Sequence, residues 1–507
     1  MDSERAGPEF RNPKSEIRNS TDVIPASYLS ALTGQFGIRA LRPAQRQVLE
    51  AVSAGAHVLA VLPTGAGKSL CFQLPAALDD GLTLCISPLI ALMRDQVLGL
   101  RRRGIGWAGA AHSLLTERDT ARLYGAVREG RCRLLYVAPE RLRSPAFREA
   151  IEQRGVQRLV IDEAHCLSAW GHDFRADYRL LPSLWQALGQ PQVLAFTATA
   201  GFDVRRDLCD VFPGLQEILT PINRPRLRLR IKEVGYYGQR ERYLARMCED
   251  GGAAIVYATS RRDCEELAAA LADNGIRAAP YHAGLTGQER NAAQQGFIED
   301  RLQVIVATTA FGMGVDKHDI RQVIHAGVPF GVEHYWQEVG RAGRDGKSAT
   351  ATLLWSDQAL ERTRNVLERD LPSAEHFRCA WRAAEQMPGL RRADFEQVLE
   401  RLMRQERLGE LDDSLRAALL GPLYHAGALV VDMQGGHHPG PKSAWKSALQ
   451  IARRRERLRR ASLDAMARLA AAPLCRVMAV AGFLQLPAEP CGQCDNCRSA
   501  GSSKFKV

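Results

Sequence analysis

Short continuous apolar runs alternate with longer helix-compatible segments along most of the chain. A first series of runs occupies 58–61, 82–86, 134–137, 159–161 and 193–196, and a second lies at 253–257, 304–307, 323–325 and 349–354. Runs of this length between helical segments are typical of strands that are buried on both faces of a parallel sheet. The pattern therefore predicts an α/β protein with two tandem, doubly wound parallel-sheet domains of similar size.

The part of the chain after these two series has a different pattern. Helical periodicity at 395–406 and 414–424 is followed by an apolar run at 428–432 and a turn-rich stretch at 434–441. Two helices, a strand and a turn would suit a small winged-helix-like unit, but a generic helical linker domain is the preferred interpretation. A basic run at 453–460 lies on a predicted helix, where it either tracks phosphates or forms an ordinary solvated face.

These patterns divide the chain into successive regions. Residues 1–22 are polar, lack periodicity and contain a Gly-Pro-Glu-Phe stretch typical of a cloning scar, so a tail outside the fold is expected there. We expect parallel-sheet domains at 23–224 and 225–360, an inserted helical or winged-helix-like region at 361–450, a helical C-terminal module at 451–500 and a short tail at 501–507.

Composition narrows the class of protein. The 507 residues are 46% hydrophobic and 25% charged, which is ordinary for a globular protein of several domains. No apolar run approaches the roughly 20 residues that span a bilayer, and no signal peptide is evident, so we expect a cytoplasmic or, in a prokaryote, nucleoid-associated protein without a membrane partner. The formal charge of +11 favours a polyanionic partner, although many basic proteins bind no nucleic acid.

A glycine-rich stretch joins the first apolar run to the helix predicted after it. Its sequence at 62–69, Leu-Pro-Thr-Gly-Ala-Gly-Lys-Ser, would surround one point with backbone N–H groups and a helix N-terminus, as a polyphosphate requires. Lys68 can reach the β- and γ-phosphates of ATP, and the Ser69 hydroxyl can hold Mg²⁺. Leucine stands at the first position, where the strict pattern has glycine, so a glycine-rich turn without a nucleotide is the alternative. The candidate ATP-binding residues here are Thr64, Gly65, Gly67, Lys68 and Ser69.

An acidic pair follows the apolar run at 159–161. Asp162 and Glu163 would lie at the carboxyl end of a strand, at the edge of the sheet where the glycine-rich stretch also emerges. Asp162 would hold Mg²⁺ together with Ser69, and Glu163 would polarise the attacking water. A lone acidic pair after a strand is usually a helix cap, but its combination with the glycine-rich stretch favours the nucleotide site.

Two further pairs of residues are candidates for contacts with the nucleotide. Arg42 and Gln45 precede the glycine-rich stretch and can stack on the adenine ring and read its edge, with a solvated helix face as an equally good explanation. Arg341 and Arg344 are one helical turn apart and can project together toward the γ-phosphate as arginine fingers. Taken alone, two such arginines are more often a solvated surface.

Four of the twelve cysteines cluster near the C-terminus. Two successive C-x-x-C spacings end at position 497, and one more cysteine precedes them, which is the spacing of metal ligands. Four thiolates would hold one structural Zn²⁺ and make 451–500 a zinc-binding module; an iron–sulfur cluster and a disulfide pair are the alternatives. The other eight cysteines are scattered among apolar runs, where reduced core residues are expected. The candidate zinc ligands are Cys475, Cys491, Cys494 and Cys497.

Taken together, these stretches resemble the motifs of a superfamily-two helicase, and within that group the RecQ family of DNA helicases. The similarity extends over 28–355 and returns at 475–497. The matching motifs are Phe-Gly at 36–37 with Arg-Pro-Ala-Gln at 42–45, the Walker A stretch at 63–69, motif Ia at 87–96, Asp-Glu-Ala-His at 162–165, motif III at 196–200, motif V at 307–316 and motif VI at 337–346.

The stretch after Asp-Glu-Ala-His is the most discriminating match. It resembles the aromatic-rich loop of the RecQ family, which implies that it senses single-stranded DNA and signals to the ATP site. Aromatic rings can stack on bases, and histidine and arginine can contact phosphates, whereas an aromatic plug in the core is the alternative. The residues of this loop that are expected to contact DNA are Trp170, His172, Phe174 and Arg175.

The resemblance implies two tandem RecA-like domains and an ATP-dependent DNA helicase that uses ATP, Mg²⁺ and Zn²⁺. It implies 3′ to 5′ movement on single-stranded DNA, unwinding of forked or 3′-tailed duplexes, and a role in DNA repair or recombination; we expect a monomer. An RNA helicase and a nucleotide-gated scaffold without productive unwinding are the alternatives. The residues that the resemblance adds to the nucleotide site are Asp316 as a binding residue and Gln337 as a catalytic residue, beside Lys68, Asp162, Glu163, Arg341 and Arg344.

Several positions depart from the family pattern. Ile38 stands where the family often has an aromatic residue against the adenine, and Arg226 where it usually has asparagine. The segment between 355 and 475 is much longer than is usual. The winged-helix and C-terminal helical domains that usually follow the zinc module are expected to be absent, because the chain ends ten residues after Cys497.

Overall fold

The computed structural model describes residues 24–63, 65–168, 176–235, 237–249, 252–309, 311, 317–369, 371–432 and 436–499. The tails expected at 1–22 and 501–507 lie outside these residues. Among the helices of the described part, none is both long enough and apolar enough to cross a membrane.

The first domain is a seven-stranded sheet with helices on both faces. All its strand pairs are parallel, and the strand order is β3-β4-β2-β5-β6-β1-β7. Its elements are α1 (Ala26–Gly34), α2 (Pro43–Ser53), β1 (His57–Val61), α3 (Leu70–Leu78), β2 (Leu82–Ile86), α4 (Ile90–Arg102), β3 (Ala108–Ala111), α5 (Glu117–Arg128), β4 (Leu134–Val137), α6 (Pro145–Arg154), β5 (Val156–Ile161), α7 (Leu181–Ala187), β6 (Gln192–Thr197), α8 (Phe202–Val211) and β7 (Leu215–Leu219).

The second domain repeats this design with six parallel strands. Their order is β10-β11-β9-β12-β13-β8, so the strand that follows the connection at 220–226 joins the edge of the second sheet. Its elements are β8 (Leu227–Glu233), α9 (Tyr237–Cys248), β9 (Ala254–Tyr257), α10 (Arg261–Asp273), β10 (Ala278–Tyr281), α11 (Gly287–Ile298), β11 (Val304–Ala307), β12 (Gln322–His325), α12 (Val332–Val339) and β13 (Ala349–Trp355). The predicted pair of doubly wound parallel-sheet domains is confirmed.

A smaller unit with its own core follows. After α13 (Asp357–Arg369) come α14 (Ala374–Gln386), β14 (Leu390–Arg391), α15 (Arg392–Gln405), α16 (Asp413–His425), β15 (Leu429–Val431) and β16 (Gly436–Pro439). We call 374–439 the inserted unit. Its three strands are antiparallel in the order β14-β16-β15, and its core is built around Phe377, Phe395 and Leu419. The unit combines helices with an antiparallel sheet, as the winged-helix-like alternative would, and is not the generic helical linker domain that the sequence favoured. The stretch expected to be only a turn at 434–441 contains β16.

The C-terminal module is helical. It contains α17 (Ala444–Ala471), α18 (Arg476–Leu484) and α19 (Asp495–Ser499). The domain boundary expected at 450/451 is wrong, because that position lies inside the 28 residues of α17. This helix packs against α14 and α16 of the inserted unit and against α12 and α13 of the second domain.

Two arginines of the basic run of α17 pair with carboxylates, while Arg453 and Arg457 are exposed, as on a solvated helix face. Arg454 donates to Asp203 of the first domain, with Nη2 and Oδ1 2.9 Å apart. Arg460 forms ion pairs with Glu456 and Glu368. At least these arginines therefore connect α17 to its surroundings, instead of presenting a uniform cationic face.

Candidate nucleotide-binding site

The glycine-rich loop lies between β1 and α3, as predicted. Gly65 and Gly67 have φ angles of 81° and 79°, which is the left-handed region that side chains disfavour. A Cβ atom on Gly67 would also stand 2.4 Å from the Gln45 amide nitrogen. Both glycines are therefore required by the shape of the loop. Thr64 lies outside the described residues.

Arg42 and Gln45 both contact this loop. The Gln45 amide donates to the carbonyls of Ala66 and Gly67, at 3.2 and 3.1 Å, and the Arg42 guanidinium donates to the carbonyl of Gly65. The backbone N–H of Arg42 in turn donates to the Gln45 side-chain oxygen. Gln45 is 5% exposed, so the solvated helix face is excluded for this residue. The capping of α2 thus links the candidate adenine-reading residues to the phosphate loop.

Asp162 and Glu163 follow β5 and face the same loop. Glu163 Oε1 lies 3.9 Å from Lys68 Nζ, and the Ser87 hydroxyl donates to Asp162 Oδ2 at 3.0 Å. Glu163 has a φ of 47°, a left-handed conformation that is uncommon for a non-glycine residue and is often found at functional sites. The structure therefore brings together the lysine and the two carboxylates that the sequence assigned to one site.

The electrostatics of Asp162 suit a cation ligand. Burial, and after it the charge of Glu163, raise the pKa of the Asp162 carboxyl to about 6, while Lys68 and the Ser87 hydrogen bond act in the opposite direction. A buried carboxylate beside a second carboxylate is destabilised as an anion, and a divalent cation would relieve that repulsion. Together with the Ser69 hydroxyl, this donor set of hard oxygen atoms fits Mg²⁺.

The structure adds residues around the acidic pair for which the sequence supplied no role. His165 Nδ1 lies 3.0 Å from the Thr197 hydroxyl, and that hydroxyl donates to the carbonyl of Thr199. His165 Nδ1 also lies 3.4 Å from Glu163 Oε2. The end of β6 is therefore joined through one histidine to the acidic pair, which gives motif III a physical connection to the nucleotide site.

A cleft of about 370 Å³ separates the two domains beside the glycine-rich loop. Arg42, Gly65 and Ala66 line it from the first domain, and Arg344 and Lys347 line it from the second. Arg344 thus lies across the cleft from the glycine-rich loop, which is the position that an arginine finger requires.

Arg341 occupies a different position. It is 7% exposed, hydrogen-bonds the hydroxyl of buried Tyr257 and is not among the residues that line the cleft. The two arginines do not project together from one helix, because α12 ends at Val339 and turns follow it. Gln337 lies on α12 and is half-buried.

Arg224, for which the sequence predicted no role in the site, fixes these turns. Its guanidinium donates to the carbonyls of Gly340, Ala342 and Gly343 at 3.1, 2.5 and 3.1 Å, and burial lowers its pKa. The connection between the two sheets therefore holds the segment that carries Arg344. Only the position of this arginine beside a domain junction could have indicated such a role.

Other predicted residues cannot be placed. Asp316 and the aromatic-rich loop residues Trp170, His172, Phe174 and Arg175 lie outside the described part of the chain. Their roles remain predictions.

The four C-terminal cysteines converge on one point. Their Sγ atoms all lie within 4.8 Å of one another. A tetrahedron with Zn–S distances of about 2.3 Å has edges of about 3.8 Å, so the cluster is close to the size that zinc requires. Backbone N–H groups of Cys491, Cys494 and Cys497 donate to the sulfur of the preceding cysteine of the set, at 3.3 to 3.4 Å, and such bonds stabilise thiolates. The residues present fit a closed, structural zinc site.

The cysteine loop is also attached to the two domains. The Gln493 amide donates to the carbonyls of Arg224 and Leu227 at 3.1 and 3.0 Å. Asp495 accepts a hydrogen bond from the backbone of Ile231 and forms an ion pair with Arg476. The cysteine loop therefore contacts the connection that also positions the turns around Arg344.

Comparison with known proteins agrees with this geometry. Residues 42–208 match the DEAD/DEAH box helicase family, and residues 239–346 match the helicase conserved C-terminal domain. The probable ATP-dependent DNA helicase RecS of Bacillus subtilis is 39% identical over 346 residues, which are 68% of this chain and 69% of that protein. The chain belongs to the RecQ family of ATP-dependent DNA helicases.

Other relatives of this RecQ-family helicase are longer. The ATP-dependent DNA helicase RecQ of Haemophilus influenzae is 39% identical over 64% of this chain, but the match spans only 53% of that protein. Among solved structures, the Mycobacterium smegmatis helicase Lhr bound to single-stranded DNA and AMP-PNP is similar, with a TM-score of 0.53 and 21% identity over 85% of this chain and 62% of that one. At this identity, the structural similarity shows the fold alone.

Proposed function

We propose that this RecQ-family helicase hydrolyses ATP in the cleft between its two sheet domains and uses the cycle to move 3′ to 5′ along single-stranded DNA. Forked or 3′-tailed duplexes are the proposed substrates, DNA repair or recombination the proposed role, and the cytoplasm the proposed location. One observation supports the motor most directly: the glycine-rich loop and acidic pair of one domain face a cleft whose other wall carries Arg344 of the second domain.

The proposed chemistry assigns a separate task to each side chain. Lys68 binds the β- and γ-phosphates, and Ser69 with Asp162 holds Mg²⁺, which when bound neutralises the developing phosphate charge. Glu163 accepts a proton from the attacking water. Lys68 and His165 lie 3.9 and 3.4 Å from the Glu163 carboxylate oxygens and hold this carboxylate beside the glycine-rich loop.

Arg344 completes the site from the second domain. When the cleft narrows around ATP, its guanidinium stabilises the charge on the transferring phosphoryl group. Arg341 is assigned to an indirect role, because its contact with Tyr257 keeps it within the second domain. Hydrolysis would release this closure, so that the two domains alternate between gripping and releasing the strand.

The proposal for DNA rests on charge, on the family and on the related structures. The net charge of +11 suits a polyanion, and the Lhr helicase with the same fold was solved with single-stranded DNA bound. The family resemblance supports the aromatic-rich loop as the DNA sensor and 3′ to 5′ as the direction of movement.

We also propose one structural Zn²⁺ per chain, held by the four C-terminal cysteines. Four protein ligands leave no open coordination position, so the metal would take no part in hydrolysis. Its task would be to hold the cysteine loop, and with it Gln493, against the connection between the domains.

ATPase assays with and without a single-stranded oligonucleotide test the motor. The wild-type protein should hydrolyse ATP faster in the presence of DNA, Lys68→Ala should abolish this activity, and the exposed Lys442→Ala should leave it unchanged. Tight DNA binding without stimulated hydrolysis would favour the scaffold alternative. Equal stimulation by single-stranded RNA would favour the RNA helicase.

A further inference from the structure

The inserted unit rests directly on the segment that follows the aromatic-rich loop. This segment is the short 3₁₀ helix Ala176–Leu180 of the first domain. Arg179 donates through Nη1 to His425 Nδ1 at 3.0 Å and through Nη2 to the carbonyl of His425 at 3.1 Å. His425 is the last residue of α16, where a cation is favoured by the unpaired carbonyls of the helix end.

The histidine at this contact is neutral. Burial lowers the pKa of His425 to about 4, and the charges of Arg179 and Arg455 act in the same direction. A guanidinium can only donate hydrogen bonds, so the Nδ1 atom of His425 must accept. The bidentate contact between the first domain and the inserted unit therefore has a defined geometry.

The neighbouring residue reaches the nucleotide site. Tyr178 is fully buried, and its hydroxyl donates to the backbone carbonyl of Asp162 at 3.0 Å. Asp177, on the other side of Tyr178, accepts from Arg143 Nε and Nη2 at 3.0 and 2.7 Å. Three consecutive side chains thus fix this short helix to the neighbouring 3₁₀ helix Pro139–Arg143, to the carbonyl of the proposed Mg²⁺ ligand and to the inserted unit.

The inserted unit is poorly suited to reading a DNA groove through α16. Leu419, Leu420 and Leu423 of this helix are buried, and α16 packs against α17 and against the short helix Ala176–Leu180. In a helix-turn-helix protein, the equivalent recognition helix would be exposed. Here it is occupied by contacts within the protein.

The charge of the inserted unit also argues against binding of DNA by this unit. Residues 374–439 contain eight arginines and no lysine against ten aspartates and glutamates, in a chain whose net charge is +11. Several of these arginines form ion pairs with carboxylates of the unit itself, as Arg382 does with Glu406 and Arg416 with Glu396. Phosphate binding requires a surplus of cationic side chains, which this unit lacks.

We propose that Tyr178 and Arg179 are positioning residues through which the inserted unit holds Asp162 in place for ATP hydrolysis, because they join the Asp162 carbonyl on one side to His425 on the other. The inserted unit then acts as a brace of the ATPase site. This inference rests on the proposed ATPase activity but assigns the unit a task that does not require contact with DNA.

Steady-state kinetics provide the first test. Tyr178→Phe removes only the hydroxyl, and His425→Ala removes the imidazole that accepts from Arg179 while keeping the backbone carbonyl of residue 425. Each should lower kcat of the DNA-stimulated ATPase about three- to tenfold, the effect of one lost hydrogen bond, and leave KM for ATP within about twofold. Arg382→Ala breaks an ion pair within the inserted unit and is the matched control, for which kcat should not change.

A double variant distinguishes coupling from two separate defects. If both residues act on Asp162 through the same segment, Tyr178→Phe combined with His425→Ala should lower kcat no more than the stronger single variant does. Multiplication of the two single effects would overturn the proposed connection. If the wild-type protein fails to hydrolyse ATP, the proposed function fails; if it hydrolyses ATP and the variants match it, only this inference fails.

Hydrogen exchange without nucleotide supplies a readout that does not depend on activity. His425→Ala should increase amide exchange in peptides that cover 157–168 and 176–180, while peptides from the second sheet and from α14 keep their protection. An increase confined to the inserted unit would show that His425 stabilises only its own unit and would overturn the proposal.

Discussion

Replacement of Glu163 by glutamine isolates the chemical step of the proposed mechanism. The amide keeps the size of the side chain but cannot accept the proton of water. A positioned general base contributes about 10²- to 10⁴-fold to a rate, so kcat should fall by that factor, which corresponds to about 3–5 kcal/mol in the activation free energy.

The geometry predicts that ATP binding survives this substitution. Glu163 Oε1 lies 3.9 Å from Lys68 Nζ, and an ion pair of this length near solvent is worth no more than about 1 kcal/mol. Removal of the Glu163 charge also removes one of the two causes that raise the pKa of Asp162, which favours the ionised form that holds Mg²⁺. The dissociation constant for ATP should therefore change less than about fivefold.

The assay combines turnover with two binding measurements. ATPase rates at saturating single-stranded DNA give kcat, a fluorescent ATP analogue gives nucleotide affinity, and fluorescence anisotropy of a labelled oligonucleotide gives DNA affinity. The exposed Glu152→Gln on α6 is the matched control. A kcat of Glu163→Gln within threefold of the wild-type value would refute the role of Glu163 as the base.

The cysteine cluster, the Arg224 contacts and the His425 contact can each be tested by one substitution. Metal analysis of the purified, colourless protein should find one zinc ion per chain, and Cys494→Ala should contain no zinc and be poorly soluble. A brown, iron-containing protein or a folded protein without metal would contradict the zinc site. Arg224→Ala should lower kcat at least tenfold by releasing the turns that carry Arg344, with the exposed Arg246→Ala on α9 as the control; equal rates would refute this role. The melting temperature should fall as the pH drops from 6.5 toward 4, because His425 is protonated more readily in the unfolded chain than in the folded protein. His425→Gln should make the melting temperature depend less on pH in this range. The same pH dependence in the variant and the wild-type protein would contradict this role of His425.

The sequence located the strands that are buried in the sheet interiors and missed those at the edges. The runs at 82–86, 134–137 and 304–307 match β2, β4 and β11 residue for residue, because strands covered on both faces are apolar throughout. In the two parallel sheets, the four missed strands, β3, β7, β8 and β10, are the outermost ones. Edge strands need no continuous apolar run, and β8 alternates leucine or isoleucine with charged residues.

The candidate site could be predicted where its residues lie in short motifs, and not where it depends on long-range contacts. Lys68, Asp162 and Glu163 were found because spacing and strand ends determine where they lie. Arg224 contacts turns more than 100 positions away, and Arg179 contacts a residue 246 positions away. Contacts between residues so far apart leave no pattern of hydrophobic periodicity or motif spacing in the sequence. These positioning residues can therefore be identified only in the folded structure.

Strand displacement is a direct test of 3′ to 5′ movement driven by ATP hydrolysis. Duplexes with a 3′ tail, a 5′ tail or a fork, each with one fluorescent strand, are incubated with ATP and Mg²⁺ and either the wild-type protein or Lys68→Ala. We expect ATP-dependent displacement of the forked and 3′-tailed duplexes by the wild-type protein, little on the 5′-tailed duplex, and none with Lys68→Ala. ATP hydrolysis without displacement of any of these duplexes, or displacement that persists in Lys68→Ala, would contradict this expectation.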